Sequence, residues 1–95
     1  MNIKDLHTQE KPVSAIAIFK SELGNATAIK ILKGEILKEH ITKTPALLIC
    51  MDGEVIFENE KGINETLLSG DFINIKPMVK HWVLGTIESQ LILIK

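Results

Sequence analysis

Gly70-Asp71-Phe72-Ile73-Asn74-Ile75-Lys76-Pro77-Met78-Val79-Lys80-His81-Trp82-Val83 is the stretch on which the reading of the fold turns. Ser69-Gly70-Asp71 has turn chemistry, Phe72 to Ile75 reads as a strand, Lys76 to Lys80 as a proline-containing loop, and His81 opens a strand to Leu84. A distant stretch, Gly34-Glu35-Ile36-Leu37-Lys38-Glu39-His40-Ile41-Thr42-Lys43-Thr44-Pro45-Ala46, delivers a second histidine. The two imidazoles can meet only through tertiary structure.

Working outward, Val13 to Phe19 has the β-branched content and partial alternation of a strand, and Thr27 to Leu32 follows as another after a turn around Gly24-Asn25. Glu35 to Glu39 favours helix by propensity, but Gly34 and Pro45 leave no room for one. Ala46 to Met51 is apolar at every position, which predicts burial on both faces and therefore a cover. Asp52-Gly53 is the strongest hairpin signal and predicts Glu54 to Glu58 as the strand paired with it. Lys61-Gly62 turns, Asn64 to Leu68 is a short strand, Gly85 to Ser89 turns again, and Gln90 to Lys95 ends the chain as a strand. About eight or nine short strands, with turn signals every eight to twelve residues, predict an all-β sandwich or barrel. Residues 13–95 form that domain, and residues 1–12, mixed in charge and ending at Pro12, read as an arm leading into it, packing late or on a neighbour.

Composition narrows the function. Ninety-five residues make one domain with a modest aliphatic core. Three Phe, one Trp and no Tyr supply few platforms for stacking bases or sugars. Net charge is −1 with the basic residues dispersed, so nucleic acid is not an expected partner. All eleven cationic side chains are lysines; without the planar arginine fork, a tightly held phosphosugar or nucleotide is disfavoured. The apolar run Ala46 to Met51 is far shorter than the roughly twenty residues that span a bilayer, which argues against a membrane. The lone Cys50 and the charged opening residues point to a reducing, cytoplasmic setting.

The spacing of these features resembles the cupins, a small jelly-roll family in which two glycine-bounded motifs build a metal site inside a β-barrel. Gly34, five residues and His40 match the start of the first motif, and Gly53 closes it at the right separation. Thr42 stands at the position of its second histidine and Ala46 at that of its glutamate. In the second motif Gly70 and His81 match, while Lys76, Met78 and Gly85 replace the motif's proline, glycine and asparagine, and Pro77 falls one residue late. The likeness covers Gly34 to Lys95, with the earlier strands completing the barrel.

The resemblance implies a cupin-like jelly roll whose cavity carries His40 and His81 as metal ligands, a divalent transition metal being the cofactor. Two of the family's four ligand positions are replaced, and a transition metal normally takes at least three good protein ligands. Glu35, Glu39 and Glu88 are the carboxylates that could make up the set; Cys50 lies about 13 Å along the strand from the vacant position. The expected function is therefore a cavity that binds a small polar or anionic molecule without a full metal site, with His40, Thr42, His81 and Trp82 as binding residues. The competing reading is a metal-dependent oxygenase or isomerase on the same histidines. Lys38, Lys43, Lys76 and Lys80 flank the histidines and could draw in an anion. Against these stand plainer readings: each imidazole a satisfied polar group, the lysines solvated, Trp82 a core or dimer contact, Cys50 an inert thiol. The doubly apolar strand and the arm lead to the expectation of a homodimer.

Overall fold

A computed structural model describes residues 1–95 as nine strands in two antiparallel sheets. In chain order they are β1 (Val13–Lys20), β2 (Asn25–Ile31), β3 (Ile36–His40), β4 (Ala46–Asp52), β5 (Glu54–Asn59), β6 (Asn64–Leu68), β7 (Phe72–Ile75), β8 (His81–Gly85) and β9 (Ser89–Ile94). One sheet has the order β1-β2-β9-β4-β7 and the other β3-β8-β5-β6. The helix-prone residues after Gly34 lie in β3, as the flanking glycine and proline require. The only helical element is a single 3-10 turn at Ile3–Asp5, and no helix is long and apolar enough to cross a membrane.

The core forms where the inward faces of the sheets meet. Ile31, Leu48 and Leu91 from the larger sheet pack with Val55, Phe57 and Val83 from the smaller, each at most 2 % exposed. The alternation of side chains along a strand puts every second residue of β5 and β8 into this layer.

Two sequence expectations are corrected here. β4 and β5 do not form a hairpin: β4 pairs with β7 and β9, whereas β5 pairs with β6 and β8. Gly53 does need positive φ (+103°), but it carries the chain across from one sheet to the other, and a Cβ there would lie 2.7 Å from the Glu88 carbonyl oxygen. The Ser89 hydroxyl fixes this corner by accepting the Glu54 N–H at 3.0 Å. Nor is β4 buried on both faces. Ala46, Leu48 and Cys50 enter the core, Leu47 and Ile49 are half-buried on the outer face, and Met51 is exposed.

The arm makes contacts with its own domain. His7 is buried, with Nδ1 2.8 Å from the Ser14 hydroxyl, and Lys4 pairs with Asp52 at 3.0 Å in an exposed contact that adds little stability.

One backbone position carries strain. Met78 is the only non-glycine residue with positive φ (+65°), and it stands where the cupin motif has glycine. Its N–H donates to the Thr42 carbonyl at 2.8 Å, tying the loop before β8 to the loop after β3. The side chain is exposed, so no packing is lost on removing it. Met78→Gly is expected to stabilise the protein by about 0.5–1 kcal/mol, net of the added freedom of the unfolded chain, and to raise Tm by a few degrees. A lower Tm by calorimetry would contradict this account.

Candidate functional site

Strand β8 lies between β3 and β5, so His81 has His40 opposite it on one side and Asn59 on the other. From the pair Leu37/Val83 to the pair His40/His81, β3 advances three residues while β8 advances two. That extra residue is a β-bulge. A regular ladder would set Glu39 against His81; the bulge brings His40 there instead.

His81 is 2 % exposed. Its ring stacks on Phe57, with centroids 5.5 Å apart and planes 24° apart, and meets the His40 ring edge-on at 4.2 Å. Each Nδ1 faces a backbone carbonyl two residues earlier, His40 that of Lys38 at 3.0 Å and His81 that of Val79 at 3.3 Å. A carbonyl only accepts, so these contacts place a proton on each Nδ1. The Nε2 lone pairs then face each other at 3.1 Å, a contact that is attractive only with a proton between them.

Burial pushes the His81 pKa below the usual 6.5; the Val79 carbonyl opposes the shift, and His40 and Lys95 add to it. The bridging proton is therefore costly to keep. When it leaves, one ring must surrender its Nδ1–H to supply the Nε2–H···Nε2 bond.

A cavity of about 250 Å³ opens beside this pair. Phe57, Ile73, Val79 and His81 line its interior, and Asn59, Lys61 and Lys76 contribute polar groups; no carboxylate lines it. Asn59 Oδ1 accepts the N–H groups of Lys61 and Ile63 at 2.9 and 3.1 Å, which shapes the β5–β6 turn that presents Lys61.

Of the expected site residues, His40 and His81 converge, but only His81 lines the cavity. Thr42 does not line it either: β3 ends at His40, and Thr42 sits buried in the following loop with its hydroxyl lacking a hydrogen-bond partner. Trp82 is on the opposite face of β8 from His81, half-buried across from Glu58, and does not line the cavity. Lys76 lines it; Lys38, Lys43 and Lys80 do not. Phe57 could have been found from alternation in β5, but Lys61 and Asn59 had no local signal, because the β5–β6 turn reaches the site only through sheet pairing.

The donor set does not fit a resident transition metal. Two imidazoles converge, and no group of three or more His, Cys, Asp or Glu side chains is placed to hold an ion. Glu35, Glu39 and Glu88 complete no such group, and Cys50 lies in the core with its thiol pKa pushed up, chiefly by burial.

Facing antiparallel sheets with a polar pair at one opening define a small jelly-roll protein. The fold is that of the cupins. A cupin superfamily protein from Desulfitobacterium hafniense superposes with a TM-score of 0.87 at 16% identity, over 98% of this chain and 84% of that one. A cupin-2 domain protein from Shewanella frigidimarina gives 0.80 at 21% identity over 100% and 92% of the two chains. A cupin-like protein from Thermotoga maritima gives 0.79 at 20% identity over 87% and 67%. No protein-family model matches the sequence, and no curated protein is significantly similar to it.

The depressed pKa values of His81 and of His7, the latter lowered by burial and then by Lys30, have a consequence for stability. An unfolded chain takes up protons at about pH 6.5, before the folded one does. The stabilisation is thus present above that pH and is lost as pH falls below it. Urea midpoints are expected to drop from pH 7.5 to pH 5, and the drop to shrink in His81→Gln; a midpoint independent of pH over this range would refute it.

Proposed function

We propose that the protein binds a small organic anion, a short carboxylate with an apolar body, in the cavity beside His81. The observation that carries this reading is the lining: two lysines, five apolar side chains, and no carboxylate. Lys61 and Lys76 supply the cationic donors a carboxylate seeks, while Phe57, Ile73 and Val79 suit a few methylene groups. The volume of about 250 Å³ is below the roughly 300 Å³ at which pockets begin to take drug-sized ligands, so the ligand is small. The buried His81 ring offers a polar group against which an oxygen of the ligand can orient.

Capture fits this lining better than turnover, because neither a carboxylate base nor a thiol reaches the cavity. A metal-free site follows from the two-donor set. The unpaired Cys50 supports placing this binding in a reducing compartment, the cytoplasm.

Calorimetric titration with butyrate, glutarate and adipate is expected to give saturable binding, unaffected by EDTA, that weakens at least tenfold in Lys61→Ala/Lys76→Ala. The neutral probe butyramide should bind more weakly than butyrate. Binding that requires an added divalent cation would favour the metal-dependent reading instead. Binding indifferent to both lysines would sink the proposal.

A further inference from the structure

The only buried side chain among residues 1–12 is His7. The 3-10 turn before it buries no residue, and its hydrogen bonds, from the Asp5 N–H to the Asn2 carbonyl and from the Leu6 N–H to the Ile3 carbonyl, stay within the arm. The first backbone hydrogen bond that ties the chain to the domain comes at Pro12, whose carbonyl accepts the Leu32 N–H at 3.0 Å. Upstream of it, two polar side-chain contacts hold the arm: Lys4 to Asp52 and His7 to Ser14.

Strand registers align Ser14, Lys30, Gln90 and Asp52 across β1, β2, β9 and β4, as a polar row on the outer face of the larger sheet. The rows through Ile92 and through Ile94 on the same face are apolar. The arm's two contacts fall at the ends of the polar row. The one at Asp52 is exposed and adds little, so docking depends on the buried one at Ser14.

That contact suits a neutral ring and not a charged one. With Nδ1 on the Ser14 hydroxyl, Nε2 is buried without a hydrogen-bond partner. On neutral His7 this leaves one polar atom unmet; on the imidazolium it leaves a buried N–H that carries charge and has no acceptor, a larger penalty. The surroundings do not relieve it. Lys30 of β2 adds a positive charge, and Ser14 of β1 and Gln90 of β9 are neutral, the Gln90 Oε1 being itself unpartnered. Asp52 of β4 is taken by Lys4, and neither Asp5 nor Glu10 of the arm pairs with the ring. Burial first, and then Lys30, accordingly lowers the His7 pKa below 6.5.

We propose that the arm is an acid-released latch: protonation of His7 detaches residues 1–11 from the polar row while the two-sheet domain stays folded. No arm residue belongs to the hydrophobic core, and a segment with so little buried surface opens locally. In the released arm the ring stands in water, with a pKa near 6.5. Docking is therefore at full strength above about pH 6.5 and weakens below it, by as much as about thirtyfold at pH 5.

The test is the heteronuclear ¹⁵N NOE of residues 3–8 in the full chain between pH 7.5 and pH 5. It is expected to fall from the value of ordered backbone to that of a free terminus, with the signals of the nine strands in place and a midpoint matching the titration of the His7 ring protons. His7→Gln should abolish the pH dependence, whichever state its arm adopts. An arm as ordered at pH 5 as at pH 7.5, or already free at pH 7.5, would overturn the proposal. So would a release that persists in His7→Gln, departs from the His7 titration, or occurs only as the strands unfold.

Discussion

The β-bulge between Leu37 and His40 governs the chemistry of this molecule. Strand β3 sits at the edge of its sheet, where an extra residue can be inserted with one partner strand to disturb and not two. Its effect is a change of parity: Leu37 faces the core, and His40, three residues on, lines up with His81 instead of facing away. A regular strand would put Glu39 beside a buried imidazole. Glu39 with His81 would be a salt-bridging pair; His40 with His81 is a pair of like groups competing for one proton. The bulge thus decides between a charge-compensated mouth and an uncompensated one. The uncompensated one is compatible with the anion proposed as ligand.

Most of the architecture was legible because it rests on local signals. The strand bounds follow glycine, proline and β-branched residues, and each of the eight strands expected from them overlaps an observed one, β3 being the one not expected. The pairings were less legible. Asp52-Gly53 reads as a hairpin since the dipeptide supplies the right local geometry, yet the register of β4 is taken by β9 and β7, strands that arrive much later in the chain. In a jelly-roll topology a tight turn can bridge sheets as readily as it can join neighbours within one, and nothing within four residues distinguishes the two. The site divides in the same way. His40 and His81 were visible from their spacing to Gly34 and Gly70, whereas Lys61 reaches the cavity only because β5 pairs with both β6 and β8. Trp82 was drawn to the site by adjacency in sequence, and strand alternation turns it to the other face.

The larger sheet divides its two faces between different tasks. Inward, Ile29, Ile31, Leu48, Leu91 and Leu93 build the shared core. Outward, an equally apolar surface has neither a helix nor the second sheet over it, and the arm covers only the polar row. The apolar run of β4 therefore enters the core with one face only, Leu47 and Ile49 being half-buried on the other. The arm docks through His7 on the polar row, whose Lys30 and Gln90 are buried, while Phe19, Phe72 and Ile94 of the apolar rows are exposed. Cost attends that arrangement: His7 Nε2 and Gln90 Oε1 are buried without hydrogen-bond partners.

The two positions where the cupin motif has further ligands explain why the mouth is not simply a damaged metal centre. Ala46, at the glutamate position, opposes Ile75 on β7 and is part of the hydrophobic core. A carboxylate there would be buried among aliphatic side chains with no cation beside it, a penalty of several kcal/mol unless an ion were bound. Thr42, at the second histidine position, has its carbonyl engaged by the Met78 N–H, and that hydrogen bond ties the loop after β3 to the loop before β8. Met78 in turn adopts a backbone conformation suited to glycine, so the tether is kept at the expense of strain. Both positions have been absorbed into packing and loop closure. What remains are two imidazoles oriented by backbone carbonyls, close enough to share a proton and lacking the third donor that would let them hold a metal in its place. Of that pair His81 borders the cavity, together with lysines and apolar side chains, and that lining is what supports the proposal of a small anion as ligand.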